Sequence, residues 1–116
     1  MKIAVTYENG QVFQHFGHTE QFKIYEAAEG KVVSARVVET GGSGHGALAG
    51  FLRGLGVDTL ICGGIGGGAR SALAEAGIQL YPGASGSADA QVEALLAGSL
   101  AYDPDTVCSH PDHGEG

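Results

Sequence analysis

The side chains best suited to bind a metal are histidines and a cysteine that lie in or beside glycine-containing segments. His15 and His18 occur in the segment HFGH, His45 occurs in the segment TGGSGHG, and Cys62 ends a short apolar run. Neutral imidazoles at the spacing of His15 and His18 can chelate borderline metals, and a thiolate beside helix N–H groups ligates soft metals. The alternatives are that the histidines are solvated loop residues and that Cys62 is a small core residue.

A second set of metal-ligating side chains lies in the acidic segment 103–116, which we expect to be a mobile tail. Cys108, His110 and His113 stand close together in the sequence CSHPDH. Such a composition is typical of metal-binding segments, but no C-x₂-C pair precedes it as in many zinc sites. Two alternatives therefore stay open, a tail that binds a divalent metal and a solvated acidic tail that binds nothing.

The chain is organised around a predicted strand, glycine turn and helix over residues 57–77. The apolar run Val57–Cys62 favours a buried strand, and alanine and leucine then recur at helical spacing up to Gly77. Free N–H groups at the start of a helix favour an anion. The residues that would supply this site are Gly64, Gly66, Gly67 and Gly68, with Arg70 as an added cation. In the alternative interpretations the turn binds nothing and Arg70 is a solvated surface residue.

The remaining elements must bring these segments together. Apolar periodicity and turn residues predict strands at 2–7, 21–27, 31–39 and 78–81, and helices at 45–55 and after Ser87. In the strand 31–39 we expect the face that carries Val33, Ala35 and Val37 to be buried.

The resulting order, βββαβαβα, predicts a three-layer α/β fold with a mixed five-stranded sheet in the order 3-2-1-4-5. Ligands bind such sheets beyond the carboxyl ends of the parallel strands. We therefore expect HFGH, TGGSGHG and the glycine turn to share one rim of the sheet.

Composition excludes several classes of function. A formal net charge of −7 over 116 residues disfavours binding to nucleic acid or an anionic membrane. With no long apolar run and no cationic leader, we expect a cytoplasmic protein. Without a G-x-S-x-G elbow, a predictable pair of carboxylates or a base for Cys62, we expect no enzymatic activity.

Three segments give the chain a family resemblance over residues 1–102, which we expect to form a single domain. They are KIAVTYENGQVFQHFGHTEQFKIYE, GVDTLICGGIGGGARSALAEAGIQLYPG and ADAQVEALLAGSL. In order and spacing they resemble the dinitrogenase iron–molybdenum cofactor biosynthesis family. The resemblance implies an RNase H-like fold. It also implies a carrier or store for preformed iron–sulfur, iron–molybdenum or molybdenum–copper–sulfur clusters, with a protein as donor or acceptor.

The resemblance agrees with the predicted anion site at the glycine turn. A thiometalate cluster is a bulky anion, and oriented N–H groups attract anions without net positive charge. Two other functions stay open. One is a divalent-metal binder or metallochaperone that uses the tail. The other is a small-anion or nucleotide-binding module built on the glycine turn.

Overall fold

The computed structural model describes residues 1–41 and 45–103, apart from the side chains of residues 45 and 46. The strands of this part are β1 (Lys2–Glu8), β2 (Gln11–Val12), β3 (Gln21–Ala28), β4 (Lys31–Glu39), β5 (Thr59–Ile61) and β6 (Gln79–Tyr81). Its helices are α1 (His45–Gly54), α2 (Gly67–Glu75) and α3 (Ala88–Ala97), with a single 3₁₀ turn at Phe16–His18. Among the described helices, none has the length and apolar character needed to cross a membrane.

The strands form one mixed sheet in the order β4-β3-β1-β5-β6. Strand β1 is antiparallel to β3 and parallel to β5, and β5 is parallel to β6. The order predicted for the five main strands is therefore confirmed. The predicted strand count is wrong by one, because β2 also pairs with β1 across a tight turn at Asn9 and Gly10, both with positive φ. A two-residue strand is too short to show an alternating pattern.

Helices cover both faces of the sheet. Ala4 of β1 lies beside Ile24 and Leu60 of the neighbouring strands, and this face packs against α1 and α2. The next residue, Val5, lies on the opposite face, which packs against α3. Alternation of side chains along each strand separates the two cores. This arrangement confirms the predicted three-layer α/β fold class.

Strand β4 departs from the prediction, because the face expected to be buried is exposed. Val33 is 63% exposed and Val37 is 43% exposed, and only Val38 of this strand packs against a core. The strand is exposed because of its position in the sheet, which its alternating sequence pattern does not reveal. Strand β4 is at the edge of the sheet, where it pairs only with β3 among the described strands, while the helices pack over the central strands.

The helices on one face begin at the same rim of the sheet. Helix α1 follows β4, whose end at Glu39 lies opposite Gln21 of β3, and α2 follows β5, which is parallel to β1. The other end of α1 is at the opposite rim, where Lys2 Nζ donates to the carbonyl of Leu55 at 2.9 Å. The N-termini of α1 and α2 therefore face the same side of the molecule, and helix N-termini carry N–H groups without a partner inside the helix.

Candidate functional site

The segment His15–His18, here called the HFGH loop, is hydrogen-bonded to the glycine turn, Gly63–Gly68. The N–H of Phe16 donates to the carbonyl of Gly64 at 3.0 Å, and the N–H of Gly64 donates to the carbonyl of Gln14 at 2.7 Å. His15 and Gly64 form an isolated parallel bridge through these contacts. The structure therefore confirms that these two predicted loops share one rim.

Apolar packing fixes the HFGH loop in this position. Phe16 is 1% exposed, and its ring centroid is 6.1 Å from that of Phe22, whose ring stacks on Phe51 of α1. On the other side, Gly63 lies directly against the backbone and side chain of Gln14. The loop backbone is thus held from both sides, and its histidines project from a positioned segment.

The imidazoles of His15 and His18 are both exposed. Their ring centroids are 6.4 Å apart with an interplanar angle of 78°, and the Phe13 ring lies edge-on to His15 at 6.1 Å. Among the described side chains, no group of three or more His, Cys, Asp or Glu residues has the arrangement of a metal site. Two accessible imidazoles on one loop supply fewer protein ligands than the four of a closed structural zinc site.

The start of α2 supplies the other groups of the candidate site. Gly66 is the N-cap residue with extended backbone, and as a glycine it has no side chain to cap the helix. Gly67 and Gly68 are exposed, and a Cβ added at either would meet nothing within 4 Å. The first N–H groups of the helix are therefore open to a ligand from solvent.

Gly64 differs from the other predicted anion-binding glycines. Its N–H group is hydrogen-bonded to Gln14, so the prediction that this amide is open to an anion is wrong. The sequence gives no sign of this bond, because Gln14 and Gly64 are far apart along the chain. Gln14 and Gly63 are the positioning residues that sequence analysis missed. The one signal was a glycine placed directly after a buried strand, which often marks a close backbone approach.

Arg70 and His18 line different surface depressions. Arg70 lines a groove with Ala74, Leu80 and Pro82, between α2 and β6. His18 instead lines a pocket of about 320 Å³ on the other side of the loop. The predicted added cation is therefore not placed beside His18.

The pocket beside His18 is acidic. Glu8 and Glu20 line it together with Tyr7 and Asn9. Two carboxylates repel an anion, so this pocket is not where an anionic cluster would bind. The start of α2, with Gly67 and Gly68 exposed, is the part of the described rim better suited to an anion.

Cys62 is fully buried at the end of β5. It belongs to the core cluster shared by the sheet, α1 and α2, together with Leu60 and Ile65. This placement supports the alternative of a small core residue. The prediction of Cys62 as a metal ligand is therefore wrong for this conformation, because metal coordination would require the thiol to leave the core.

Several predicted ligands lie outside the described part of the structure. The side chain of His45 is among them, although its backbone forms the first residue of α1. Cys108, His110 and His113 also fall in the segment outside the described residues. These residues stay predictions.

The chain reaches that segment from beside the glycine turn. The N–H of Asp103 donates to the carbonyl of Pro82 at 2.8 Å, and the ring of Tyr102 lies edge-on to Tyr81. Gly83, which follows Pro82 in the sequence, donates its N–H to the carbonyl of Gly63 at 2.9 Å. Residue 104 therefore follows a segment that packs next to the candidate site.

A second polar cluster ties α3 to the sheet on the opposite face. The hydroxyl of Tyr25 donates to Asp89 Oδ1 at 2.6 Å, and Lys23 Nζ donates to the same oxygen at 2.9 Å. Burial, followed by the hydrogen bond to Asp89, raises the pKa of Tyr25 well above its usual range. The hydrogen bonds from Tyr25 and then Lys23 lower the pKa of Asp89. This cluster is structural, since it orients the first turn of α3.

Comparison with known proteins links this chain to a family. A sequence model of the family described as dinitrogenase iron-molybdenum cofactor matches residues 1–98. An uncharacterised protein of Methanocaldococcus jannaschii is 32% identical over 105 residues, covering 86% of this chain and 89% of the relative. FeMo cofactor biosynthesis protein NifB of Sinorhizobium fredii is 40% identical over 87 residues, covering 68% of this chain and 18% of NifB. The solved apo form of the orange protein from Desulfovibrio gigas has a TM-score of 0.77 at 29% identity, covering 89% of this chain and 92% of that one.

Proposed function

The chain belongs to the dinitrogenase iron–molybdenum cofactor family, and we propose on that premise that it binds an anionic metal–sulfur cluster as a carrier or store. The cluster is of the iron–molybdenum, iron–sulfur or molybdenum–copper–sulfur type, and it is cargo that the chain receives from or passes to another protein. The chain catalyses no reaction and acts in the cytoplasm. The relative NifB, whose name refers to FeMo cofactor biosynthesis, supports a role with metal–sulfur clusters, although the chain matches only a small part of NifB.

One observation carries the proposal. The bridge between His15 and Gly64 holds the HFGH loop, which carries two exposed imidazoles, against the glycine turn that leads into α2. Imidazoles ligate soft and borderline metals or donate hydrogen bonds to sulfur, and helix N–H groups attract negative charge. Both kinds of group suit a polyanion that contains metal and sulfur.

Because this protein is acidic, neutral hydrogen-bond donors are the groups expected to hold an anionic cluster. The chain has a net charge of −7, and Glu8 and Glu20 lie near His18. A polyanion is therefore repelled by the chain as a whole and needs locally directed dipoles to bind. The start of α2 provides such dipoles, and the cluster is placed between it and the HFGH loop, away from the acidic pocket.

The first experiment measures cluster uptake. Purified apo-protein is mixed with a thiomolybdate compound or a reconstituted iron–sulfur cluster, and bound metal is measured by elemental analysis and visible absorbance. We expect uptake near one cluster per chain, and weaker uptake after His15→Ala with His18→Ala. The control is Glu75→Ala, at the other end of α2. Unchanged uptake in the double variant would remove the histidines from the site.

A second experiment tests the helix amides separately. Gly67 is the first residue of α2 and follows extended Gly66, so proline fits there while removing one N–H group. Gly67→Pro should weaken uptake severalfold, whereas Gly67→Ala, which keeps the N–H group, should not. Equal uptake by both folded variants would show that this amide does not contact the cluster.

The tail provides a second candidate function, a divalent-metal site or metallochaperone arm formed by Cys108, His110 and His113. The anchoring of Asp103 beside Pro82 and Gly83 supports it, because the tail starts close to the cluster site. Because the described chain ends beside this site, a metal bound by the tail would suit a role in loading or release. The remaining alternative, a small-anion or nucleotide module, would be favoured if phosphate compounds compete with the cluster.

A further inference from the structure

Strand β4 presents an exposed apolar edge. Of the large hydrophobic side chains that are exposed among the described residues, three lie on this strand, namely Val32, Val33 and Val37. Its backbone pairs with β3 on one side and with no described strand on the other. A long apolar edge strand with free backbone groups is a template for pairing with another strand.

The sequence of β4 is close to self-complementary when it is read in the antiparallel direction. The strand is KVVSARVVE, with two valines on each side of its centre at Ala35. It has a basic residue, Lys31, at one end and an acidic residue, Glu39, at the other. Two antiparallel copies centred on Ala35 would place valine beside valine and each Lys31 beside the Glu39 end of the other copy.

We propose that β4 is the interface of a two-fold symmetric dimer of this chain, in which two sheets join through antiparallel β4 strands. Such a contact is isologous, because both copies use the same strand edge. It limits assembly to a dimer, since neither copy has its β4 edge left for further pairing. In-register parallel pairing would instead place Lys31 beside Lys31 and Glu39 beside Glu39. The charges at the two ends therefore select the antiparallel arrangement.

The β-bulge in β4 is compatible with this pairing. Glu26 lies opposite Ser34 and Ala27 lies opposite Val32, so Val33 is the extra residue. On the Lys31 side of Ser34, the bulge shifts the pairing of β4 with its neighbour by one residue. Val37 of one copy then meets Val32 or Val33 of the other, and the contact is between valines in both registers.

The surface beside β4 extends the apolar contact. Val32 lines a shallow groove with Leu96 and Glu93 of α3. A second copy of β4 would reach the edge of this groove. Pairing of one strand buries less area than a permanent dimer interface, so we expect a concentration-dependent dimer.

The charge arrangement gives a direct test by analytical ultracentrifugation of the full chain without cluster. The wild type should approach twice its 11.7 kDa mass as the concentration rises. Lys31→Glu leaves both ends of β4 acidic and Glu39→Lys leaves both ends basic, so each should raise the dissociation constant about tenfold, or about 1.4 kcal/mol. An equimolar mixture of these two variants should recover wild-type association, because their ends are complementary. The control Glu75→Lys makes the same charge change as Glu39→Lys, but on α2.

A second pair of variants tests the valines. Val33→Lys should make the chain monomeric, because each copy would place a charge against the valines of the other copy, whereas Ser71→Lys at an exposed position of α2 should not. Circular dichroism checks that all variants fold. A wild-type chain that is monomeric at every concentration would overturn the proposal. So would a dimer insensitive to the β4 variants, or a variant mixture that associates no better than its components. None of these outcomes depends on cluster binding.

Discussion

Gly63 and Gln14 approach each other so closely that no side chain fits between them. A Cβ on residue 63 would lie 2.7 Å from Gln14 Cα and 2.6 Å from Gln14 Oε1. The flexible amide of Gln14 can move, but its backbone is held by the hydrogen bond from Gly64. The absence of a side chain at Gly63 is therefore what lets the HFGH loop lie against the glycine turn.

Gly63→Ala should separate these two segments. We expect a loss of about 1–3 kcal/mol in the free energy of unfolding, as for overpacking in a core, together with weaker cluster uptake. Urea denaturation and the uptake assay measure the two effects. Gly66→Ala is the matched control, because Gly66 has a negative φ and open space around its Cα. Equal stability of the two variants would contradict the steric argument.

The contact between Tyr25 and Asp89 predicts a loss of stability in acid. Because folding lowers the pKa of Asp89, its contribution is present above the unfolded pKa of about 3.9. It is lost as the pH falls through the lower, folded pKa. Tyr25→Phe should cost about 1 kcal/mol at neutral pH. It should also flatten the fall in stability below pH 4.

Urea denaturation at neutral and acid pH measures both effects. Tyr102→Phe is the control, since Tyr102 lies against Tyr81 at the other end of the sheet. A Tyr25→Phe variant with the same pH dependence as the wild type would show that the tyrosine does not set the pKa of Asp89.

Burial of Cys62 predicts that its thiol is unreactive in the native protein. In a Cys108→Ala chain, where Cys62 is the remaining cysteine, a thiol reagent should label the protein only in denaturant. Labelling followed by mass spectrometry makes the measurement. Rapid labelling of the folded chain would restore Cys62 as an accessible ligand, and cluster uptake by Cys62→Ala would then decide its role.

Deletion of residues 107–116 separates the two candidate metal functions. The shortened chain should lose its affinity for zinc or nickel while it keeps cluster uptake, because the HFGH loop and α2 remain. Calorimetric titration with each metal and the uptake assay provide the measurements, with Cys108→Ala plus His110→Ala in the full chain as the matched variant. Cluster uptake that disappears with the tail would place the tail in the cluster site itself.

The sequence predicts the sheet order and layers because apolar periodicity and the handedness of crossovers constrain both. Local patterns cannot report where a strand lies in the sheet, so Val33 and Val37 were predicted to be buried although β4 is an edge strand. The proximity of the HFGH loop to the glycine turn follows from topology. The bond that occupies the Gly64 amide does not, because it depends on one close approach to Gln14.

The bridge between His15 and Gly64 also constrains when the site forms during biosynthesis. A nascent chain that ends at residue 41 already contains both loop histidines and the β3–β4 hairpin, but it lacks the glycine turn. Ribosomes deliver the N-terminal half first, and contacts between distant segments form late. The contact between the HFGH loop and the glycine turn therefore forms only after β5 and the start of α2 have left the exit tunnel.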